Sequence, residues 1–324
     1  MSINYKHTLH NKNNMDKTFN YFESKKFNVN CITKNIWEIS KDDIKFTIYA
    51  PFLVIDQDSV ISKEISESKS NTNSYLKSKN YPHTDQLFLS SINDLDYSID
   101  HIGFPCAIKP TQENNGRGVY CNINSREELL FFITQSSQYY SNGLILEKHV
   151  EGNDYRITII NNEFLFAVQR KPPTIIGDGE NTITQLLDEQ NKKLLNIKKK
   201  INVQELISID DEFEYILKTK NLTTQSILSK NETLILKSIS NMSVGGERIF
   251  IPKEDINKSV IEMCESLSKN LNLFSLGIDY ITEDITKDPV ISKDAIIEIN
   301  YNPQVSDQYY FKSLDRMIER YECK

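Results

Sequence analysis

The chain has 324 residues and only 10 glycines. Average usage, about 7%, would give more than twice as many. None precedes Gly103 and none follows Gly277. Glycine used this sparingly marks places where backbone geometry requires it. No apolar run approaches the ~18 residues of a membrane span. The opening residues, MSINYKHTLHNKNN, lack the apolar core of a secretory signal. Five cysteines (Cys31, Cys106, Cys121, Cys264, Cys323) form no C-x-x-C pair. That count and spacing exclude a zinc site or disulfide framework and predict reduced thiols in a cytoplasmic protein. A net charge of −7 excludes the basic footprint of a nucleic-acid binder. The one basic run, Lys198–Lys200, reads as a solvated helix end. At 39% hydrophobic and 26% charged, the composition is globular, with one large domain or two to three subdomains.

Residues 1–20 are polar and read as a frayed terminus. From Phe19 to Ile55 the pattern is strand-like, ending in FTIYAPFLVI, and predicts a small N-terminal α/β unit. Ser59–Lys79 carries Ile61, Ile65 and Leu76 on a polar helical background, and Tyr81-Pro82 stops it. Four strand signals follow: Phe104–Lys109, Gly118–Ile123, Leu144–Val150, and Tyr155–Gln169 as a hairpin about Asn161-Asn162. Between the second and third, Ser125 and Glu128 form an S-x-x-E capping box ahead of Leu129, Leu130, Phe132 and Ile133. Downstream, helices are expected at Asn181–Leu195, Lys253–Leu271 and Asp307–Tyr321. Strands are expected at Thr233–Ile239, Leu276–Ile281 and Ile296–Asn300. This order of elements predicts an α+β fold with antiparallel sheets.

Three constellations carry chemistry. Asp279 lies on the strand LGIDYI, and Glu298 and Asn300 lie at i and i+2 on IIEIN, so the last two share a face. Three such oxygen donors on neighbouring strands suit a hard cation such as Mg²⁺. The second is IKPTQENNGRGVY, in which Lys109 ends a strand and a loop with Gly116 and Gly118 follows. That loop could bring backbone N–H groups to a phosphate, although taken alone a plain hairpin turn explains it better. Neither a Walker A ending nor G-x-G-x-x-G is present. The third is LILEKHVEGNDYR. There Glu147 could accept from an exocyclic amine, Asp154 from a ribose hydroxyl, and Arg156 could pair an anion.

The order and spacing of these segments, with RKPPTIIGDGENTITQLL (Arg170–Leu187), LKSISNMSVGG (Leu236–Gly246), LGIDYI and EINYNP (Glu298–Pro303), resemble the ATP-grasp superfamily. Within it they resemble the glutathione synthetase module of bifunctional glutathione synthetases and the ATP-grasp domain of cyanophycin synthetase. The resemblance runs from about Ser59 to about Tyr310. It implies two α/β subdomains gripping ATP between antiparallel sheets. Residues 59–324 would form the ATP-grasp domain, with a lid at about 103–150, behind a shortened N-terminal unit at 1–58. Lys69 and Lys109 then fall at phosphate-contacting positions, and Asn115, Gly116, Arg117, Gly118 and Val119 at the glycine-rich loop. Glu147, Lys148 and Val150 fall at the adenine hinge, Asp154 at the ribose and Arg156 beside it. Asp279, Glu298 and Asn300 fall at the metal ligands. Arg170, Lys237 and Asn241 fall at the acyl-phosphate and acceptor region.

The implied reaction is ATP-dependent carboxylate–amine ligation through an acyl phosphate. It would use ATP with two Mg²⁺ ions, or Mn²⁺, on amino acids or small peptides. Relatives are frequently dimers or tetramers. The chain departs from the pattern at Lys193–Lys200 and at QVSDQYYF after EINYNP, which leaves the substrates open. The competing expectation is a non-catalytic ATP-binding regulator or partner protein derived from such a ligase. A carboxylase-type module of the superfamily would need a biotin-attachment context that the sequence does not show.

Overall fold

The computed structural model describes residues 9–50, 53–111, 116–135, 137–139, 143–198 and 205–322. The chain begins with α1 (Leu9–Ser24) and an antiparallel meander of β1 (Asn28–Cys31), β2 (Ile36–Lys41) and β3 (Ile44–Tyr49). The expected frayed stretch is therefore helical from Leu9, and Phe19 lies in that helix, not in a strand. Phe22 gives the reason: it is buried with Ile39, Phe46 and Ile48, so tertiary packing stabilises a polar helix of weak intrinsic preference.

The expected helix at Ser59–Lys79 is two, α2 (Val60–Glu67) and α3 (Lys69–Ser78). Ser68 breaks the run in an extended conformation, and its hydroxyl accepts the Asn71 N–H at 3.3 Å. Leu76 is buried as expected, but Ile61 is exposed. Then come β4 (Gln86–Leu89), α4 (Leu95–Ile102), β5 (Cys106–Pro110), β6 (Tyr120–Ile123), α5 (Arg126–Gln135) and β7 (Leu144–Lys148). The four strands make one antiparallel sheet in the order β4-β7-β5-β6. Since β4 pairs with β7, this sheet begins before the expected boundary near 103. At α5, Ser125 caps the Glu128 N–H at 3.1 Å, while the Glu128 carboxylate returns to the N–H of Asn124.

The hairpin β8 (Asn153–Ile160) and β9 (Glu163–Lys171) turns at Asn161 and Asn162, both at positive φ. An insert follows: β10 (Thr174–Ile176), α6 (Ile183–Lys198), α7 (Asp211–Thr219) and β11 (Thr233–Ile235). It has its own core around Ile183, Phe213 and Leu234. The chain returns through β12 (Glu247–Ile251), α8 (Lys258–Leu271), β13 (Ser275–Thr282), β14 (Ala295–Tyr301) and α9 (Asp307–Glu322). The second large sheet is antiparallel in the order β12-β9-β8-β13-β14. On one face α8 packs Val260, Cys264 and Leu267 against Ile157 and Ile278. On part of the other, the N-terminal unit and α9 pack Phe22, Leu314 and Met317 against Ile160 and Val168.

Residues 253–271 were expected as one helix, but only a short turn precedes Asn257, which caps α8 by accepting the Ser259 N–H at 2.8 Å. The strand expected over 233–239 stops at Ile235. Among the described residues the four described cysteines are free thiols, and no helix is long and apolar enough to cross a membrane. Of the basic run, residues 199 and 200 lie outside the described residues, as does Asn115.

Candidate active site

A cleft of about 210 Å³ lies between the two large sheets. Twelve of the residues singled out in the sequence line it. Lys69, Lys109, Gly116 and Val119 stand on one side, followed by Glu147, Lys148 and Val150 along the β7 exit. Asp154, Arg170, Asn241, Asp279 and Glu298 complete the wall.

The lid side is built on β5 and β7. Their register pairs Ala107 with Glu147 and Lys109 with Ile145, which places Lys109 and Glu147 on one face. Both are nearly buried, and the ammonium lies 2.5 Å from the carboxylate. Thr84 donates its hydroxyl to the same carboxylate oxygen at 3.1 Å. Lys148 turns away, with Nζ donating to the Phe104 carbonyl at 3.1 Å. Its neighbour His149 also lines the cleft, and burial lowers its imidazole pKa, favouring the neutral ring. Cys121 sits in the same wall, its thiol pushed up to about 12 by burial and the nearby Glu147, which favours the protonated form.

Gly116 has φ +76, and a Cβ there would collide with the Ile239 side chain. Only glycine lets the loop end pass under the segment 238–241. Gly118 is buried and Arg117 is exposed. Segment 238–241 closes over the loop, and the Cys121 N–H donates to Ser238 Oγ at 3.2 Å. Asn241 lines the cleft, but Lys237 does not. Lys237 is 2% exposed, bonded to Asp210 and 3.7 Å from Glu212, both at the N-terminal end of α7.

The opposite wall is the second sheet. Cross-strand register lines up Arg156, Asp279 and Glu298 on neighbouring strands. Asp279 is 2% exposed. Arg156 grips it through Nε and Nη2, and Arg170 reaches its Oδ2 at 3.0 Å. Burial pushes the Asp279 carboxyl up, but the two guanidinium groups outweigh it and hold it below the usual carboxylate range. Arg170 also binds Asp154 at 2.7 Å, where burial wins and the Asp154 pKa is raised. Glu298 lies 4.0 Å from Lys69, which Ser68 places at the first turn of α3. Asn300 does not line the cleft, yet its Nδ2 is buried with no hydrogen-bond partner. Among the described residues no three His, Cys, Asp or Glu side chains converge, so the oxygen donors here are two carboxylates and one amide.

Sequence reasoning did not single out Thr84, Ser238 or Ile239, although the last two lie within the LKSISNMSVGG stretch. Thr84 carries no local signal, because its partner Glu147 is 63 residues away.

No family model matches the chain. The cyanophycin synthetase of Crocosphaera subtropica is 31% identical over 247 residues, 75% of this chain and 28% of that protein. The glutathione biosynthesis bifunctional protein GshAB of Clostridium perfringens is 30% identical over 200 residues, 61% of this chain and 25% of that protein. The chain thus spans about a quarter of the length of the curated relatives it matches. The crystal structure of a bifunctional glutathione synthetase from Pasteurella multocida superposes with a TM-score of 0.60 at 19% identity, covering 95% of this chain and 44% of that one. With two antiparallel sheets closing on one cleft, the chain has the ATP-grasp fold and resembles, over most of its length, the cyanophycin synthetases and bifunctional glutathione enzymes.

Proposed function

We propose that the chain is an ATP-dependent carboxylate–amine ligase that joins amino acids or small peptides through an acyl phosphate. The observation that carries this reading is the convergence of Lys69, Lys109, Asp154, Arg170, Asp279 and Glu298 on one cleft between two antiparallel sheets. In this reading Glu147 to Val150 hold the adenine and Asp154 the ribose. The loop at Gly116–Val119 covers the phosphates.

The buried Asn300 Nδ2 that lacks a partner among the described residues is an N–H donor, which suits a phosphate oxygen and not a cation. The hard oxygen donors are the carboxylates of Asp279 and Glu298 and the side-chain carbonyl of Asn300. That donor set fits Mg²⁺ or Mn²⁺. A bound divalent ion supplies charge stabilisation at the phosphates. The substrate carboxylate attacks the γ-phosphate, and an amine then displaces phosphate from the acyl group. Lys69 and Lys109 offset the negative charge that accumulates between carboxylate and triphosphate. Arg156 and Arg170 keep Asp279 ionised and fixed in place. The lid excludes water that would hydrolyse the acyl phosphate.

The test is ADP release in a screen of amino acids and dipeptides with Mg-ATP. We expect release that requires a carboxylate and an amine together. Tight Mg-ATP binding with no release across a broad screen sinks the ligase reading. Glu298→Ala should abolish release. Unchanged biological function in that variant would favour a non-catalytic role.

A further inference from the structure

Thr84 takes no part in the ligation steps, yet it sits where the two large sheets join. Residues 82–85 form a strap between them. The Ile296 N–H of β14 donates to the Pro82 carbonyl at 3.1 Å, and the Lys148 N–H of β7 donates to the Asp85 carbonyl at 2.9 Å. The strap is thus pinned to both sheets. Thr84, between the pins, is 4% exposed and lines the cleft.

Asn73 fixes the Thr84 hydroxyl. Its Nδ2 donates to the Thr84 carbonyl at 2.8 Å and to Thr84 Oγ1 at 3.2 Å. A carbonyl can only accept, which settles which end of the Asn73 amide faces Thr84. Oγ1 accepts from Asn73, and its own hydrogen goes to Glu147 Oε2 at 3.1 Å. Asn73 lies four residues after Lys69 on α3. One face of that helix therefore carries both the Thr84 contact and the lysine beside Glu298.

Burial asks only that the Thr84 hydroxyl have one partner, and Asn73 supplies it. Nor does Glu147 need Thr84 for charge, because Lys109 already lies 2.5 Å from it. What the Thr84 bond adds is orientation. Thr84 and Lys109 both hold Oε2, so Oε1 is the oxygen they leave for a ligand. An ionised carboxylate only accepts, so that oxygen favours an N–H donor and disfavours a second acceptor.

We infer that Thr84 is a positioning residue that aims Glu147 Oε1 at an N–H donor of the bound nucleotide, and so sets a preference for a base with an exocyclic amine. This rests on the ATP reading of the cleft and names a specificity determinant within it.

The probes are ATP and purine riboside triphosphate, which lacks the exocyclic amine, each titrated calorimetrically with Mg²⁺ into the full chain. Wild type should bind ATP at least about tenfold more tightly, because the bond is made to a charged acceptor. Thr84→Val keeps the shape and loses the hydroxyl. It should cut the preference to within about threefold by weakening ATP alone. Thr84→Ala, which also lacks the hydroxyl, should act the same way, and Thr84→Ser should restore the preference. The assignment is overturned if wild type binds both nucleotides equally or if the preference survives in Thr84→Val and Thr84→Ala. It is also overturned if those variants weaken both nucleotides to the same extent, as a purely structural role would. If wild type binds neither nucleotide, the ATP reading itself falls and takes the assignment with it.

Discussion

Lys109 and Lys237 are two nearly buried lysines that meet carboxylates, yet they sit in different worlds. Lys109 faces Glu147 inside the cleft, where the far side is open to a ligand. Lys237 is closed in by Asp210 and Glu212 and ties the insert to the chain that leaves β11. Burial pushes the Glu212 carboxyl up, and the Ser238 N–H and Lys237 oppose that shift. The lesson is that a buried lysine near the site is a ligand-binding group only if one side of its ammonium faces the cleft. With protein on every side it is an anchor.

The sharpest way to break this comparison is to neutralise each lysine. Lys109→Met should lower the rate of ADP release by about 100-fold or more, as expected when one charge aimed at the transition state is lost. A turnover assay beside a nucleotide titration checks it, and a rate within a few-fold of wild type refutes the role of Lys109. Lys237→Met should act on stability first. It leaves Glu212 buried without its cation, at a cost of about 3 kcal/mol. Urea unfolding reads the loss, and adding Glu212→Gln should recover part of it. If Lys237→Met instead abolishes turnover at unchanged stability, Lys237 belongs with Lys109.

The smallest effect is expected at an exposed carboxylate of the same insert. Asp178 accepts the N–H groups of Asn181 and Glu180 and caps the approach to α6. Those bonds, Asn181 first, lower its pKa from 3.8 to about 2. A depressed pKa in the folded state means the stabilisation is present above 3.8 and is lost as pH falls towards 2. The thermal midpoints of wild type and Asp178→Ala should therefore differ at pH 7 and converge between about pH 4 and 2. A gap that stays constant over that range would show that the cap does not depend on ionisation.

Much of this was legible in the sequence. The Asn161-Asn162 turn was readable because asparagine tolerates positive φ, and both residues adopt it. The capping of α5 was readable from Ser125 and Glu128 for a similarly local reason. Strand β4 was not, since four residues without a turn signal become a strand only by pairing with β7. Nor was the separation of Lys237 from Asn241. They lie four residues apart, but one meets the α7 terminus and the other the cleft.

The sequence by itself determined the order of motifs, the sparing placement of glycine and the antiparallel α+β class. These depend on local propensity and spacing, which act over a few residues. Tertiary structure alone decided which charges meet. Asp279 finds Arg156 123 residues away and Lys109 finds Glu147, because strand register and burial set those distances. In a low-dielectric cleft such distances decide whether a charge is satisfied or waits for a ligand.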